Sequence, residues 1–166
     1  AVAEMEAAVA QLAVVEGDYY GTGKLPVRLY LIAFGAVVAA SAIMYYAILS
    51  HQYQYKYVAG FSSNSLPLLY LISAFWAGQE GTFLFWALLA GAMGLVFMKI
   101  SKEPDNLAMA IVSGFLGFLA LLMIVKSPFE LNATVPLDGS GLNPLLQDPW
   151  MAIHPPILFM GYAATV

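Results

Sequence analysis

Residues 29–49 read LYLIAFGAVVAASAIMYYAIL, an apolar run without a charged side chain. Two further runs have the same character: TFLFWALLAGAMGLVFM at residues 82–98 and NLAMAIVSGFLGFLALLMIV at residues 106–125. A transmembrane α-helix needs about 20 predominantly apolar residues, and each run is close to that length. The three runs therefore predict an all-α fold, a polytopic transmembrane helical bundle with three clear spans.

The composition of the whole chain agrees with a membrane protein. The 166 residues are 61% hydrophobic and 10% charged, with a mean hydropathy of +0.79. Soluble domains, by contrast, are about half apolar and about a quarter charged. The formal net charge of −4 provides no basic surface for nucleic acid, so we expect the lipid bilayer and not nucleic acid as a partner.

The chain contains no cysteine and two histidines. Disulfides and thiolate metal sites are therefore excluded within this sequence, and so is a CxxCH motif that would carry covalent haem. Two histidines are also too few for a metal centre built from several histidine ligands of this chain.

Both ends of the sequence lead us to expect part of a longer polytopic protein, either its N-terminal membrane portion or one piece of a split protein. The first residue is alanine, and the apolar run from Pro155 reaches only residue 166, short of a full span. Residues 1–16 are rich in alanine and valine but contain Glu4, Glu6 and Glu16. Carboxylates are costly in the bilayer centre, so we expect an interfacial helix or a partial span there.

The loops between the spans differ in their positive charge. Cytoplasmic loops of membrane proteins carry an excess of lysine and arginine. One side of this chain has more of these residues than the other, so the loops at residues 50–81 and 126–154 are predicted to face outward. The inner side has Lys24, Arg28, Lys99 and Lys102, and the outer side has Lys56 and Lys126.

Shorter features lie in the outer loops and in the spans. Residues 51–57, HQYQYKY, predict either a short strand or an amphipathic interfacial piece, and residues 68–77 predict a short interfacial or re-entrant segment. Asp138 and Asp148 lie among turn-forming residues, which we expect them to stabilise. Small residues recur in two groups whose spacing predicts close helix–helix contact: Ala90, Gly91 and Gly94, and Ala110, Gly114 and Gly117.

The stretch LNPLLQDPWMAIHPPILFMGY, at residues 142–162, contains the main candidate for chemistry. Proline is tolerated in the first helical turn, and the residue before a proline is disfavoured in a helix. A fourth span is therefore predicted to start at Pro155, with His154 at its mouth. A neutral imidazole at the outer surface can bind the iron of a haem. The alternative is an interfacial histidine that caps a helix or contacts a lipid headgroup.

A second candidate is WAGQEG, at residues 76–81, because Glu80 is a charge within an apolar stretch. An ionisable group in such a place is a functional candidate. Alternatively, the flanking glycines mark a break, and Glu80 lies in water at a helix start, where the helix dipole favours a carboxylate. Trp76 and Trp150 either support a large aromatic ligand or belong to an interfacial aromatic belt. The sequence identifies no catalytic residue.

Three blocks follow one another from residue 61 to residue 162: FSSNSLPLLYLISAFWAGQEGTFLFWALL, KSPFE and DGSGLNPLLQDPWMAIHPPILFMGY. In this order they resemble the N-terminal part of the CcmF family, the haem lyase component of cytochrome c maturation, and its close relative NrfE. The family pattern W-G-x-x-E-G-S is present with Ala77 and Thr82 as departures, and the L-N-P-L-L-Q-D-P and H-P-P blocks are intact.

The resemblance implies that haem, b-type or delivered by the chaperone CcmE, is bound on the outer face of a bacterial or organellar inner membrane. There it is attached to apocytochrome c carrying CxxCH, with the help of other maturation subunits of the CcmH type. The first of two outward histidines in the family matches His154, which would be an axial ligand of the haem iron. Trp76, Glu80 and Trp150 are assigned to the outer vestibule. The second histidine and a tryptophan-rich segment would follow Val166, so this chain holds an incomplete haem lyase site.

Two other functions are compatible with the residues. In a fragment of a membrane transporter or proton-pathway subunit, Glu80 would be the working residue and His154 incidental. That function predicts further charged residues inside the spans, which the three apolar runs lack. A structural scaffold piece of a split protein would have its active centre on a partner.

Overall fold

The computed structural model describes residues 25–101 and 106–165. Within these ranges the chain is helical, and no strand is formed there. In chain order the α-helices are α1 (Leu25–Leu49), α2 (Lys56–Phe61), α3 (Leu68–Ser73), α4 (Gln79–Ile100), α5 (Asn106–Val125) and α6 (Pro149–Ala163). Two 3-10 turns, Ala74–Trp76 and Pro144–Leu146, precede α4 and α6.

Helices α1, α4 and α5 are long and apolar enough to cross a membrane. They pack against one another, while α6 packs against α4. The predicted all-α bundle with three clear spans is therefore confirmed. Residues 1–16, where an interfacial helix or a partial span is expected, lie outside the described residues, as do Lys24 and Lys102.

Helix α4 begins earlier than the apolar run predicts, because its first turn is polar. Gly78 is the N-cap of this helix, and Gln79 and Glu80 follow within the first turn. Helix α1 likewise begins at Leu25 with Pro26 in its first turn, where a missing N–H costs no hydrogen bond.

Helix α6, which carries His154, begins at Pro149 and not at the predicted Pro155. Asp148 is its N-cap, and its side chain accepts hydrogen bonds of 2.9 and 3.3 Å from two backbone N–H groups of the first turn. An aspartate followed by proline is a strong helix start. The expectation that Asp148 stabilises its turn is confirmed, and this signal outweighs the later pair of prolines.

Pro155 and Pro156 therefore lie inside a helix. Since proline has no N–H, the carbonyl groups of Met151 and Ala152 receive no hydrogen bond from the residue four positions later. His154 lies in the second turn of α6, so the prediction that it stands at the mouth of a helix is wrong. The prolines restrict the backbone beside His154 without ending the helix.

One of the two groups of small residues marks a close contact between helices. A Cβ on Gly91 would lie 2.0 Å from the ring of Phe34, and one on Gly94 would lie 2.8 Å from the ring of Tyr30. The Tyr30 hydroxyl donates a hydrogen bond to the Gly91 carbonyl. The predicted contact is therefore confirmed between α1 and α4.

The other group does not mark such a contact. A Cβ on Gly114 or Gly117 would meet no atom within 4 Å. These glycines line an apolar groove of about 670 Å³ between α1 and α5. For them the prediction of close helix contact is wrong within the described residues.

Replacing Gly91 with alanine is expected to destabilise the bundle by about 1–3 kcal/mol, because the new methyl group would overlap the Phe34 ring. Adding Phe34→Ala should remove that overlap, so the two changes together should cost less than their sum. Gly114→Ala is the control; its Cβ meets no atom within 4 Å, so this variant should lose no stability and should gain up to about 1 kcal/mol from the better helix propensity of alanine. Thermal unfolding in detergent that gave the same midpoint for both glycine variants would contradict this packing.

Candidate functional site

The two predicted outer loops lie against each other at one end of the bundle. Tyr55 and Leu131 form an isolated antiparallel bridge. Beside it, the N–H of Lys56 donates to the carbonyl of Glu130 at 2.8 Å, and the side chains of these two residues form an exposed ion pair of 3.1 Å. Residues 51–57 thus contain one bridging position and the start of α2, rather than a strand.

Asp138 connects the second loop to the first. Its carboxylate accepts hydrogen bonds from the Tyr53 hydroxyl at 3.0 Å and from the backbone N–H of Asn64 at 2.9 Å. It also accepts one from the N–H of Gly139 at 2.7 Å, which confirms the expected role in its own turn. The Asn64 N–H is the main cause that lowers the pKa of Asp138. Burial, followed by the Asp138 carboxylate, raises the pKa of Tyr53 to about 12, so at neutral pH the pair is a phenol donating to a carboxylate.

Tyr57 stabilises the turn that leads into α4. Its hydroxyl donates to the carbonyls of Ala74 and Phe75, at 3.0 and 3.1 Å, and accepts the N–H of Gly78 at 3.0 Å. The side chain is buried. Burial raises the pKa of Tyr57, and the nearby carboxylate of Glu80 raises it further. The phenol therefore keeps its proton and remains a donor to this turn.

The glycines of WAGQEG make room for the aromatic side chains beneath them. A Cβ on Gly78 would lie 2.4 Å from the ring of Phe61, and one on Gly81 would lie 2.0 Å from the Phe75 carbonyl oxygen and 2.2 Å from the Tyr57 hydroxyl. Glu80 lies between these glycines in the first turn of α4. Its position is the one that the helix-start interpretation predicts.

Trp76 lines a cavity of about 280 Å³ between the start of α4 and one side of α6. The wall formed by α6 includes Met151, Pro155 and Phe159. The Thr82 hydroxyl, also in the wall, donates to the Trp76 carbonyl at 3.1 Å.

His154 and Trp150 lie on another side of α6. Both are exposed, Trp150 at 79%, and their spacing of four residues places them on one helix face. Together with Met151, Ile153 and Ile157 they line a surface cavity of about 340 Å³. Helix α6 therefore places Trp150 beside His154, in a different cavity from Trp76. Glu80 lines neither cavity.

The residues around His154 could provide one axial ligand and an apolar surface to a haem. Among the described residues, no group of three or more histidine, cysteine, aspartate or glutamate side chains could hold a metal ion. A haem iron needs only axial ligands from the protein, and a single imidazole can be one of them. The exposed imidazole has an apolar surface beside it, formed by Trp150, Ile153 and Ile157.

Tyr53 and Tyr57, whose hydroxyl groups join separate segments at this end of the bundle, could not be recognised as such from the sequence. Both lie in the segment HQYQYKY, where alternation suggested a strand or an interfacial piece. The sequence signal for Tyr57 was the pair Gly78 and Gly81, since closely spaced glycines often mark a close approach of another group. Their partner could not be identified without the fold.

Comparison with known proteins places the chain in a family. The family model for cytochrome C assembly protein matches residues 76–166. The chain is 37% identical over 135 residues to the cytochrome c-type biogenesis protein CcmF of Pseudomonas aeruginosa, a match that covers 78% of this chain and 20% of the relative. It is 33% identical to CcmF of Escherichia coli, over 78% of this chain and 21% of that protein. It is 31% identical to the cytochrome c-type biogenesis protein CycK of Rhizobium meliloti, over 80% of this chain and 20% of that protein.

The chain spans about a fifth of the length of these curated relatives. No solved structure matches it significantly. The resemblance found in the ordered sequence blocks is confirmed by the family model and by the relatives. The chain belongs to the cytochrome C assembly protein family.

Proposed function

We propose that this chain binds haem on the outer face of the bacterial inner membrane and takes part in its covalent attachment to apocytochrome c. His154 is the proposed axial ligand of the iron. The observation that supports this most is the exposed imidazole beside Trp150 in a surface cavity of α6. The names of the relatives, cytochrome c-type biogenesis proteins, support the process.

The proposed role of the chain is to bind and orient the haem, which is the substrate. The His154 imidazole provides a nitrogen lone pair to the iron, and Trp150 and Ile157 provide an apolar surface for the porphyrin edge. Bound haem supplies the vinyl groups that react with the thiols of the CxxCH motif. Those thiols belong to the apocytochrome, since this chain has no cysteine.

The other participants are part of the same proposal. Haem would arrive from the chaperone CcmE, and a maturation subunit of the CcmH type would present the apocytochrome. The second axial histidine and a tryptophan-rich surface would come from sequence after residue 166. The outward orientation rests on the excess of positive charge in the inner loops, which have Lys24, Arg28, Lys99 and Lys102, whereas the loops on the side of His154 have only Lys56 and Lys126.

The test is the haem content of the intact protein, purified in detergent from cells that make haem. His154→Ala should lower the haem bound at the outer site roughly tenfold or more, since the axial ligand is lost. His51→Asn is the matched control, because His51 has a φ of 53°, which asparagine tolerates. The control should bind haem normally. Unchanged haem content in His154→Ala would refute the ligand role.

The same measurement separates the proposal from a proton pathway. Glu80→Gln removes a charge but keeps the size of the side chain. We expect Glu80→Gln to retain haem and full cytochrome maturation, because Glu80 lies in the first turn of α4 and not in the cavity of His154. Lost maturation with normal haem content would instead favour a working carboxylate at residue 80.

A further inference from the structure

The loop between α5 and α6 is held at a defined place although most of it has no regular structure. Residues 138–141, DGSG, lie against the segment from Tyr53 to Asn64. We call this pair of segments the latch. In the chain, residues 138–141 lie between the membrane span α5 and α6, the helix that carries His154.

Backbone contacts make the latch tight. The N–H of Ser140 donates to the carbonyl of Ala59 at 2.7 Å, and the N–H of Gly141 donates to the carbonyl of Ser62 at 3.1 Å. A Cβ on Gly139 would lie 1.9 Å from the Ser62 carbonyl oxygen. Only glycine therefore fits at residue 139 without a shift of backbone against backbone.

The Asp138 carboxylate adds the side-chain part of the latch. It accepts from the Tyr53 hydroxyl and from the backbone of Asn64, two groups on the opposite segment. Tyr53 is only 6% exposed, and its hydroxyl has one other acceptor, the neutral side-chain oxygen of Asn64 at 3.0 Å. Removing the carboxylate would leave this buried phenol without its charged acceptor.

A short segment joins the latch to the start of α6 at Pro149. Gly141 has a φ of +77°, which turns the chain inward to Leu142, a residue that is 3% exposed. The Leu142 carbonyl then accepts a 2.7 Å hydrogen bond from the Gln147 side chain, and Asp148 caps α6. Because this segment is short and hydrogen-bonded, we expect a displacement of the latch to move the start of α6 as well.

We propose that Asp138 and Gly139 are positioning residues of the outer haem site, which set the location of His154 through the latch. This inference rests on the proposed function. It assigns the DGSG sequence a role in haem handling without contact to haem. Misplacement of a reacting group by about 1 Å can cost on the order of 100-fold in rate. A small displacement of the latch should therefore slow haem attachment measurably.

The experiment uses the intact protein in lipid nanodiscs, with spin labels on Ser65→Cys and Leu158→Cys for pulsed EPR distances. Gly139→Ala and Asp138→Ala should shift or broaden the distance distribution. They should also change the absorption spectrum of bound haem and slow covalent attachment roughly tenfold to 100-fold. Asp138→Asn keeps an acceptor oxygen and should lose less. Gly60→Ala, where a Cβ meets nothing within 4 Å, is the control and should change neither distance nor spectrum.

The outcomes are separable. Unchanged distances in both latch variants would overturn the latch, whatever happens to haem. Changed distances with a normal haem spectrum and normal attachment would overturn its positioning role. If Gly139→Ala fails to accumulate, Asp138→Ala and Tyr53→Phe decide the same questions. A parallel His154→Ala sample with normal haem would refute the proposed function itself, and with it the positioning role.

Discussion

Replacing Gly81 with alanine is expected to remove about 3–5 kcal/mol of stability. The new Cβ would lie 2.0 Å from the backbone oxygen of Phe75 and 2.2 Å from the Tyr57 hydroxyl. Overpacking alone costs about 1–3 kcal/mol. Relief of the overlap would separate Tyr57 from the turn, and buried groups left without partners cost about 1–3 kcal/mol more.

A loss of this size approaches the whole stability of a typical domain. We therefore expect Gly81→Ala to be nearly absent from the membrane and to unfold at a much lower temperature in detergent. Gly60→Ala is the matched control, because no atom lies within 4 Å of its Cβ position. Tyr57→Phe should not rescue Gly81→Ala, since the Phe75 carbonyl would still be in the way. Equal membrane levels for the two glycine variants would show that the turn is not packed as described.

Replacing His154 with glycine is expected to reduce covalent haem attachment to c-type cytochromes on the order of 100-fold. Changes that merely disturb a metal ligand from outside typically cost about 10- to 100-fold, so loss of the ligand itself should reach the upper part of that range. The fold should survive, because the His154 side chain is exposed and glycine in a helix costs about 1 kcal/mol relative to alanine. His154→Ala, a better helix former, separates this small helix effect from loss of the imidazole.

The spans could be predicted from the sequence because an uncharged apolar run of bilayer length is enough to identify each of them. A stretch such as residues 106–125 has no charge and the length of a bilayer crossing, and the structure has a helix from Asn106 to Val125. The start of α6 could not be predicted from the H-P-P motif, because Asp148 and Pro149 provide a competing start signal. Local rules identify both signals but do not rank them; capping by two backbone N–H groups decides in favour of Asp148.

The grouping of candidate residues could not be predicted either, because it depends on which side of a helix faces a neighbour. Trp76 and Trp150 were assigned to one vestibule, yet they line different cavities. In the WAGQEG motif the sequence singles out the carboxylate of Glu80, whereas the structure has the two glycines packed against Phe61 and Tyr57. Residues 53–64 contact residues 138–141, which are far away in the sequence. Hydrophobic periodicity predicts single helices and strands but not contacts of this kind.

The most direct test of the central claim is chemical rescue of His154→Gly. The intact variant is supplied with haem and apocytochrome, and covalent attachment is measured with and without added imidazole. If His154 is an axial ligand, free imidazole should occupy the vacated space, restore the haem absorption spectrum and recover much of the lost attachment, while leaving the wild-type protein unchanged. Attachment that is normal in His154→Gly without imidazole would contradict the claim, as would a defect that imidazole does not relieve in a correctly folded variant.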